Sequence, residues 1–249
     1  MTIRMLNCFT CNARWPSTLK TGMVCLLIDT NKGLTLVDTG LGLDDYHNPT
    51  WMTRMFRIIT IVPLNPAEAA FNQIKKMGFD PNDVKNIILT HMHFDHCSGL
   101  ADFPKARVHV YRGEYHAFTE GRIRQFTEFA YIPRYIAHKP EFVLYDQVDS
   151  KWYEFDAIRL PFEPEIYLIP LFGHSRGHCG VAIKTSKGWF FHAADAGAVY
   201  DNETPKWLIK LVLGPHDAGL RAFMKSHPEV LVSNSHMYLE FFNEHPVIE

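Results

Sequence analysis

Apolar positions first run together from Met23 to Asp29. The turn signal Asn31-Lys32-Gly33 follows, and a second run from Leu34 to Val37 stops at Asp38-Thr39-Gly40. Two such runs around a short polar turn predict a β-hairpin. Trp51, Met52, Met55, Phe56 and Ile59 recur at helical spacing and predict an apolar helix. At Asn65-Pro66-Ala67-Glu68, a capping residue, a proline and an acid three positions after the cap predict another helix. Phe71, Ile74 and Met77 would share its buried face, and Gly78 would end it. Asn86 to Leu89 and Arg107 to Tyr111 read as strands. Residues 112–150 are aromatic-rich and predicted helical, broken at Gly113, Gly121, Pro133 and Pro140. Strands return from Trp152 with Glu165 to Leu171, a hairpin of Gly180 to Thr185 with Trp189 to Ala193, and Glu229 to Ser233. A helix is expected to begin at Gly99-Leu100.

The polar residues fall at telling places. His91, His174, Asp195 and His236 each follow a predicted strand, and helix-then-strand order places ligands at the strands' C-terminal edge. If those strands share an edge, the four converge. The chain has 14 histidines among 249 residues, three of them within His91-Met92-His93-Phe94-Asp95-His96. Zinc takes neutral imidazole and carboxylate ligands. Alternate residues of an H-x-H pair can face one metal, and the following turn lets Asp95 and His96 face a second. His174 sits in the loop Gly173-His174-Ser175-Arg176-Gly177-His178, where His178 reads as a support for the loop. Asp195 ends an apolar approach, where an unpartnered carboxylate is costly.

Composition narrows the class. With 47% apolar and 21% charged residues the chain is globular, and a net charge of −2 argues against nucleic acid as a partner. No apolar stretch approaches a bilayer span, and the start, Met1 to Leu6, is interrupted by Arg4 and builds no secretory core. Five cysteines at irregular spacings read as thiols of a reducing compartment, so a cytoplasmic location is expected. Cys8-x-x-Cys11 is a lone pair and reads as coincidence; Cys97 and Cys179 read as packing. No repeat or linker divides the chain, so one domain, 1–249, is expected. Its partner would be a small molecule, with no nucleic acid and no membrane; a homodimer is left open.

H-x-H-x-D-H after a strand, then G-H-x-x-G-H, then a lone aspartate and a late histidine resemble the metallo-β-lactamase-fold hydrolase superfamily over nearly the whole chain. The resemblance implies an α/β (α+β) fold, a four-layer αββα sandwich with a two-metal site at one edge. By position it implies His91, His93 and His174 on the first metal, Asp95, His96 and His236 on the second, and Asp195 bridging them. Asp38 would orient the site or serve only as a turn residue. The metals would be two divalent ions, zinc first, with iron or manganese as alternatives. Two such ions lower the pKa of a shared water toward about 7, which makes hydroxide the nucleophile. Asp95 and Asp195 would then be the carboxylates at the chemistry.

Within the superfamily, glyoxalase II-type thioesterases add a glutathione-binding helical segment, and only 54 residues follow Asp195 here. The lactamases are exported, and the nucleases carry basic surfaces. The chain looks closest to acyl-homoserine lactonases, so a lactone or related ester is the expected substrate. A mononuclear iron dioxygenase acting on a persulfide, using only His91, His93 and His174, is the alternative, with a glyoxalase II-type thioesterase beside it. Two positions depart from the lactonases: Ala198 stands where a tyrosine is common, with Tyr200 two further on, and Met237 follows the late histidine. Segments 41–64 and 112–150 would frame the pocket. Their aromatics read first as core packing or a dimer contact, and second as a wall for an acyl chain, with Tyr135 and His138 as candidate substrate contacts.

Overall fold

In strand β2 (Lys20–Thr30), residues Met23 to Ile28 alternate between two cores, and this alternation explains why that stretch is apolar without a break. Met23, Cys25 and Leu27 face a layer of helices, while Val24, Leu26 and Ile28 face a second sheet. A strand covered on both faces shows no polar side. The computed structural model describes residues 2–12, 20–30, 33–197 and 205–249.

The first sheet is built from β1 (Thr2–Asn12), β2, β3 (Gly33–Val37), β4 (Val84–Ile88), β5 (Arg107–Tyr111) and β6 (Glu141–Tyr145) in that spatial order. The pairs from β1 to β3 are antiparallel and those from β3 to β6 parallel. The second sheet comprises β7 (Ser150–Trp152), β8 (Phe155–Arg159), β9 (Ile166–Pro170), β10 (Cys179–Thr185), β11 (Gly188–His192) and β12 (Leu231–Ser233). The chain then returns to the first sheet, where β13 (His236–Tyr238) pairs with β2 and β14 (Val247–Ile248) with β1. Helices α1 (Leu43–His47), α2 (Trp51–Thr60), α3 (Ala70–Lys76), α4 (Phe94–Cys97) and α5 (Arg112–Thr119) contribute to the layer outside the first sheet. Helices α6 (Lys206–Leu213), α7 (Asp217–Ser226) and α8 (Leu239–Glu244) follow, and Leu220 and Phe223 of α7 pack outside the second sheet. The result is the αββα sandwich.

Several expectations are corrected. The helix at Asn65 is split into a 3-10 turn, Pro66–Glu68, and α3. Glu68 does not close a capping box, because its carboxylate accepts hydrogen bonds from the backbone N–H of Thr10 (2.6 Å) and its hydroxyl (3.0 Å). Met77 is exposed rather than buried. Region 112–150 is helical only in α5 and two 3-10 turns, then ends in β6, a half-buried edge strand. The helix placed at Gly99 begins earlier, at Phe94, and continues as a 3-10 turn over Ser98–Asp102. His236 does follow a strand, β12, by three residues, and it also opens a further strand, β13, which the sequence did not suggest. Cys8 and Cys11 both lie buried in β1, within the helix-side core.

His109, buried on β5, ties three parallel strands. Its Nε2 lies 3.0 Å from Asn86 Oδ1 on β4 and its Nδ1 2.8 Å from the Tyr145 hydroxyl on β6. The neutral ring satisfies both, donating to Asn86 and accepting from Tyr145. Burial, aided by Arg107, holds its pKa down to about 4. The unfolded chain, with an ordinary histidine pKa near 6.5, therefore takes up the proton first as pH falls. Stability contributed by the neutral ring is complete above that value and drains away toward pH 4, by roughly 2 kcal/mol at pH 5. His109→Gln should flatten the acid side of a melting-temperature profile relative to the parent. An unchanged slope would rule this source out.

Candidate functional site

The three ligand-bearing loops come from two different sheets. The loop after β4 carries His91 to His96, and β13 brings His236 to it from the same sheet; the loops after β9 and β11 carry His174 and Asp195. Each is held in place by backbone chemistry. Asp38, fully buried after β3 in the left-handed region (φ 56°), accepts from the backbone N–H (2.9 Å) and hydroxyl (2.8 Å) of Thr90. Its Oδ2 also lies 2.8 Å from His96 Nδ1, so it fixes that imidazole with Nε2 directed inward. His178 receives the backbone N–H of Asp195 on Nε2 (3.0 Å), while its Nδ1 lies 3.1 Å from the Leu171 carbonyl. It supports the loops and lines no part of the cavity described below. Ala194 is held at φ 49° just before Asp195. A non-glycine residue there costs about 1–3 kcal/mol, and such strain gathers at functional sites.

His91, His93 and His174 place one nitrogen each within 4.8 Å of one another, and Asp95, His96 and His236 do the same with one ligand atom each. Asp195 lies between the groups. Its Oδ2 is 3.2 Å from His96 Nε2, 3.4 Å from His174 Nε2 and 3.7 Å from His91 Nε2, and its Oδ1 is 3.9 Å from His236 Nε2. Asp95 Oδ2 lies 3.4 Å from His236 Nε2.

This donor set fits divalent cations. Among the described residues His93 Nε2 has no hydrogen-bond partner although it is buried, and Nε2 of His91 and His174 face each other at 3.2 Å. Nδ1 of His174 donates to the Val212 carbonyl at 2.6 Å, which leaves its Nε2 a lone pair. Burial, reinforced by the neighbouring imidazoles, holds His91 and His93 well below their ordinary pKa. Neutral imidazole is the ligand form. Burial opposes charge on His96 and His236 too, but the facing carboxylates, Asp38 and Asp95 for the first and Asp195 and Asp95 for the second, raise both. Asp195 is pulled well below its usual range, against its burial, by His236 and His96.

A residue with no motif to announce it holds the two loops together. Glu114 of α5, with no exposed surface, accepts from the backbone N–H groups of Met92 (2.8 Å) and Gly177 (3.0 Å) and the hydroxyls of Ser175 (2.7 Å) and Tyr131 (2.9 Å). Gly177 permits the approach, since a Cβ there would lie 2.2 Å from the Glu114 nitrogen. The sequence signal was a carboxylate sharing a helix face with Ala117 and Phe118, both buried.

The site forms the floor of a cavity of about 520 Å³. Its walls come from Met52, Met55, Phe56 and Ile59 of α2, from Phe126 and Phe129, and from the end of α6. Segments 41–64 and 112–150 thus both contribute. Tyr135 and His138 do not line it. Tyr135 is buried elsewhere, its hydroxyl 2.6 Å from Asp45 Oδ2 and 3.1 Å from Thr50, and burial keeps that phenol protonated. His138 follows the 3-10 turn Pro133–Ile136, away from the cavity wall. Neither is placed to touch a substrate there. Ala198 and Tyr200 lie outside the described residues.

Fold and site together define a metallo-β-lactamase-fold chain, and the family model of that superfamily matches residues 23–236. The chain belongs to the metallo-β-lactamase superfamily. Among its relatives is a probable metallo-hydrolase of Mycobacterium tuberculosis, 35% identical over 205 residues, 78% of this chain and 62% of that protein. An N-acyl homoserine lactonase of Bacillus cereus is 28% identical over 180 residues, 72% of this chain and 65% of its own. The chain therefore spans somewhat under two thirds of the length of these relatives. Among solved structures, an N-acyl homoserine lactone hydrolase with the product N-hexanoyl-L-homoserine at its catalytic metal centre superimposes with a TM-score of 0.67 at 20% identity, covering 98% of this chain and 95% of that one. A dizinc quorum-quenching lactonase gives a TM-score of 0.57 at 18% identity, covering 88% and 73%.

Proposed function

We propose that the chain is a metal-dependent hydrolase that opens a lactone, with N-acyl homoserine lactones as the substrate class and zinc as the metal. The observation that carries this reading is the pair of ligand groups meeting at Asp195 on the floor of an apolar cavity. His91, His93 and His174 would hold one cation, Asp95, His96 and His236 the other, and Asp195 would touch both. Bound there, two divalent ions supply Lewis acidity and an ionised water near neutral pH. The chain's own part is to bind and orient. Asp38 and His178 fix ligand geometry from outside, as such partners generally do. Met52, Met55, Phe56 and Phe129 offer an acyl chain a dry wall and keep bulk water from the reacting carbonyl. The lactonase relatives support the substrate class.

Hydrolysis of a butanoyl and a decanoyl homoserine lactone by zinc-loaded protein, followed by proton release, tests this. Turnover should vanish on chelation and return with zinc. The longer chain should be favoured at least tenfold in kcat/KM, since each buried methylene contributes about 0.8 kcal/mol. Protein carrying two metals per chain that turns over neither lactone would sink the substrate assignment. One metal per chain, with turnover intact, would sink the two-metal mechanism.

A further inference from the structure

Helices α2 and α6, which both wall the cavity, also turn large apolar side chains out to solvent. On α2, Trp51, Ile58 and Ile59 are exposed, Ile58 to 72%; on α6, Trp207 and Leu211 are exposed, Trp207 to 69%; Phe126, which lines the same cavity, is exposed as well. Ile59, Phe126 and Leu213 line the same cavity, so the three elements form one rim. Singly exposed apolar residues are ordinary, but a contiguous group at a cleft is not.

The charges on these helices are all of one sign. Helix α2 carries Arg54 and Arg57 and α6 carries Lys206 and Lys210, and neither helix contains an acidic residue, although the whole chain has a net charge of −2. At about 100° per residue, Ile58, Trp51 and Ile59 fall on one arc of α2 with Arg54 and Arg57 along its flank. In α6, Lys206-Trp207 and Lys210-Leu211 repeat the pairing one turn apart. Apolar stripes edged by cations are the pattern of helices that lie in the plane of a lipid surface. A second copy is a poorer occupant. In a two-fold dimer this face would meet itself, setting cations against cations and burying lysine, which interfaces disfavour.

We propose that this rim docks the chain on an anionic phospholipid bilayer, with the cavity mouth facing the lipid. The side chains of α2 and α6 enter the interface, and the four cations contact lipid phosphates. Among the described residues no helix is long and apolar enough to cross a membrane, and docking requires none. If the proposed lactone hydrolysis holds, an acyl-tailed substrate partitioned into the bilayer would reach the floor without crossing water. The docking itself does not rest on that reading.

Flotation of the 249-residue chain with vesicles tests it. Binding to phosphatidylcholine vesicles containing phosphatidylglycerol should exceed binding to phosphatidylcholine alone by at least about tenfold, and should weaken at high salt. Ile58→Gln with Trp207→Gln should lower it at least about tenfold, with circular dichroism and metal content unchanged. Lys206→Gln with Lys210→Gln should reduce the salt dependence. Absence of vesicle binding, binding indifferent to phosphatidylglycerol, or binding that survives the Ile58/Trp207 double variant overturns the proposal. So does a sedimenting dimer that this double variant dissociates, which would give the face to a second copy. None of these readouts involves turnover, so failure of the lactonase reading would be seen separately.

Discussion

Replacing His93 with alanine should lower lactone turnover by at least about 10³-fold, equivalent to roughly 4 kcal/mol of transition-state stabilisation. His93 is the corner of the first ligand group whose Nε2 finds no hydrogen-bond partner among the described residues. Its removal leaves that position with His91, His174 and the shared carboxylate of Asp195, so the first cation loses one of its three imidazoles and should be held far more weakly. The cost to folding should be small by comparison, because an unpartnered polar nitrogen is lost with the ring. Metal analysis of the purified variant is the readout independent of rate, and at least one equivalent should be missing. A variant that keeps both metals and its activity would refute the proposed site.

Glu114→Ala should destabilise the chain by about 3 kcal/mol or more, since it strands two backbone N–H groups and two hydroxyls in a buried space, each costing about 1–3 kcal/mol if unsatisfied. For a chain of this size that corresponds to a fall of roughly 6–12 °C in melting temperature. Glu114→Gln keeps the shape but turns its amide NH2 toward one of the two backbone N–H groups, which cannot accept, so it should recover only part of the loss. The distinctive sign is in metal affinity. Glu114 touches no proposed ligand, yet it joins the loop of His91–His96 to the loop of His174, and support of this kind is worth about 10–100-fold in affinity. Competition with a chromophoric chelator would measure it. Lowered stability with unchanged metal affinity would assign Glu114 to packing alone.

What could be read from the chain was what lies close together along it. Four candidate ligands sit within six residues, and His174 and Asp195 follow strands whose apolar runs were plain. Both inner strands of the first hairpin were visible because each is buried on two faces. The outer strand β1 was not seen. It interrupts its apolar positions with Arg4, Asn7 and Thr10 and shifts register between Asn7 and Thr10. The broken helix at Asn65 shows the same limit. Every local cue favoured a capping box, and the deciding partner, Thr10, lies 58 residues away. Tyr135 failed as a substrate contact because an aromatic-rich stretch does not reveal which rings will find buried acceptors such as Asp45. Glu114 had the only signal a buried carboxylate can give, an acid among apolar helix positions, and nothing along the chain named its partners.

The division of the ligand loops between two sheets has a thermodynamic corollary. His91, His93, Asp95, His96 and His236 belong to one sheet, His174 and Asp195 to the other, and the sheets meet through the apolar layer of Val24, Leu26, Val181 and Ile183. A divalent ion gripped by both would act as a clasp on that layer, and the open chain could not offer the same grip because the donors are far apart in it. Binding and folding are then linked, and resistance to unfolding rises with the logarithm of free metal once the site is saturated. Scarcity of metal would lower the chain's lifetime as well as its rate.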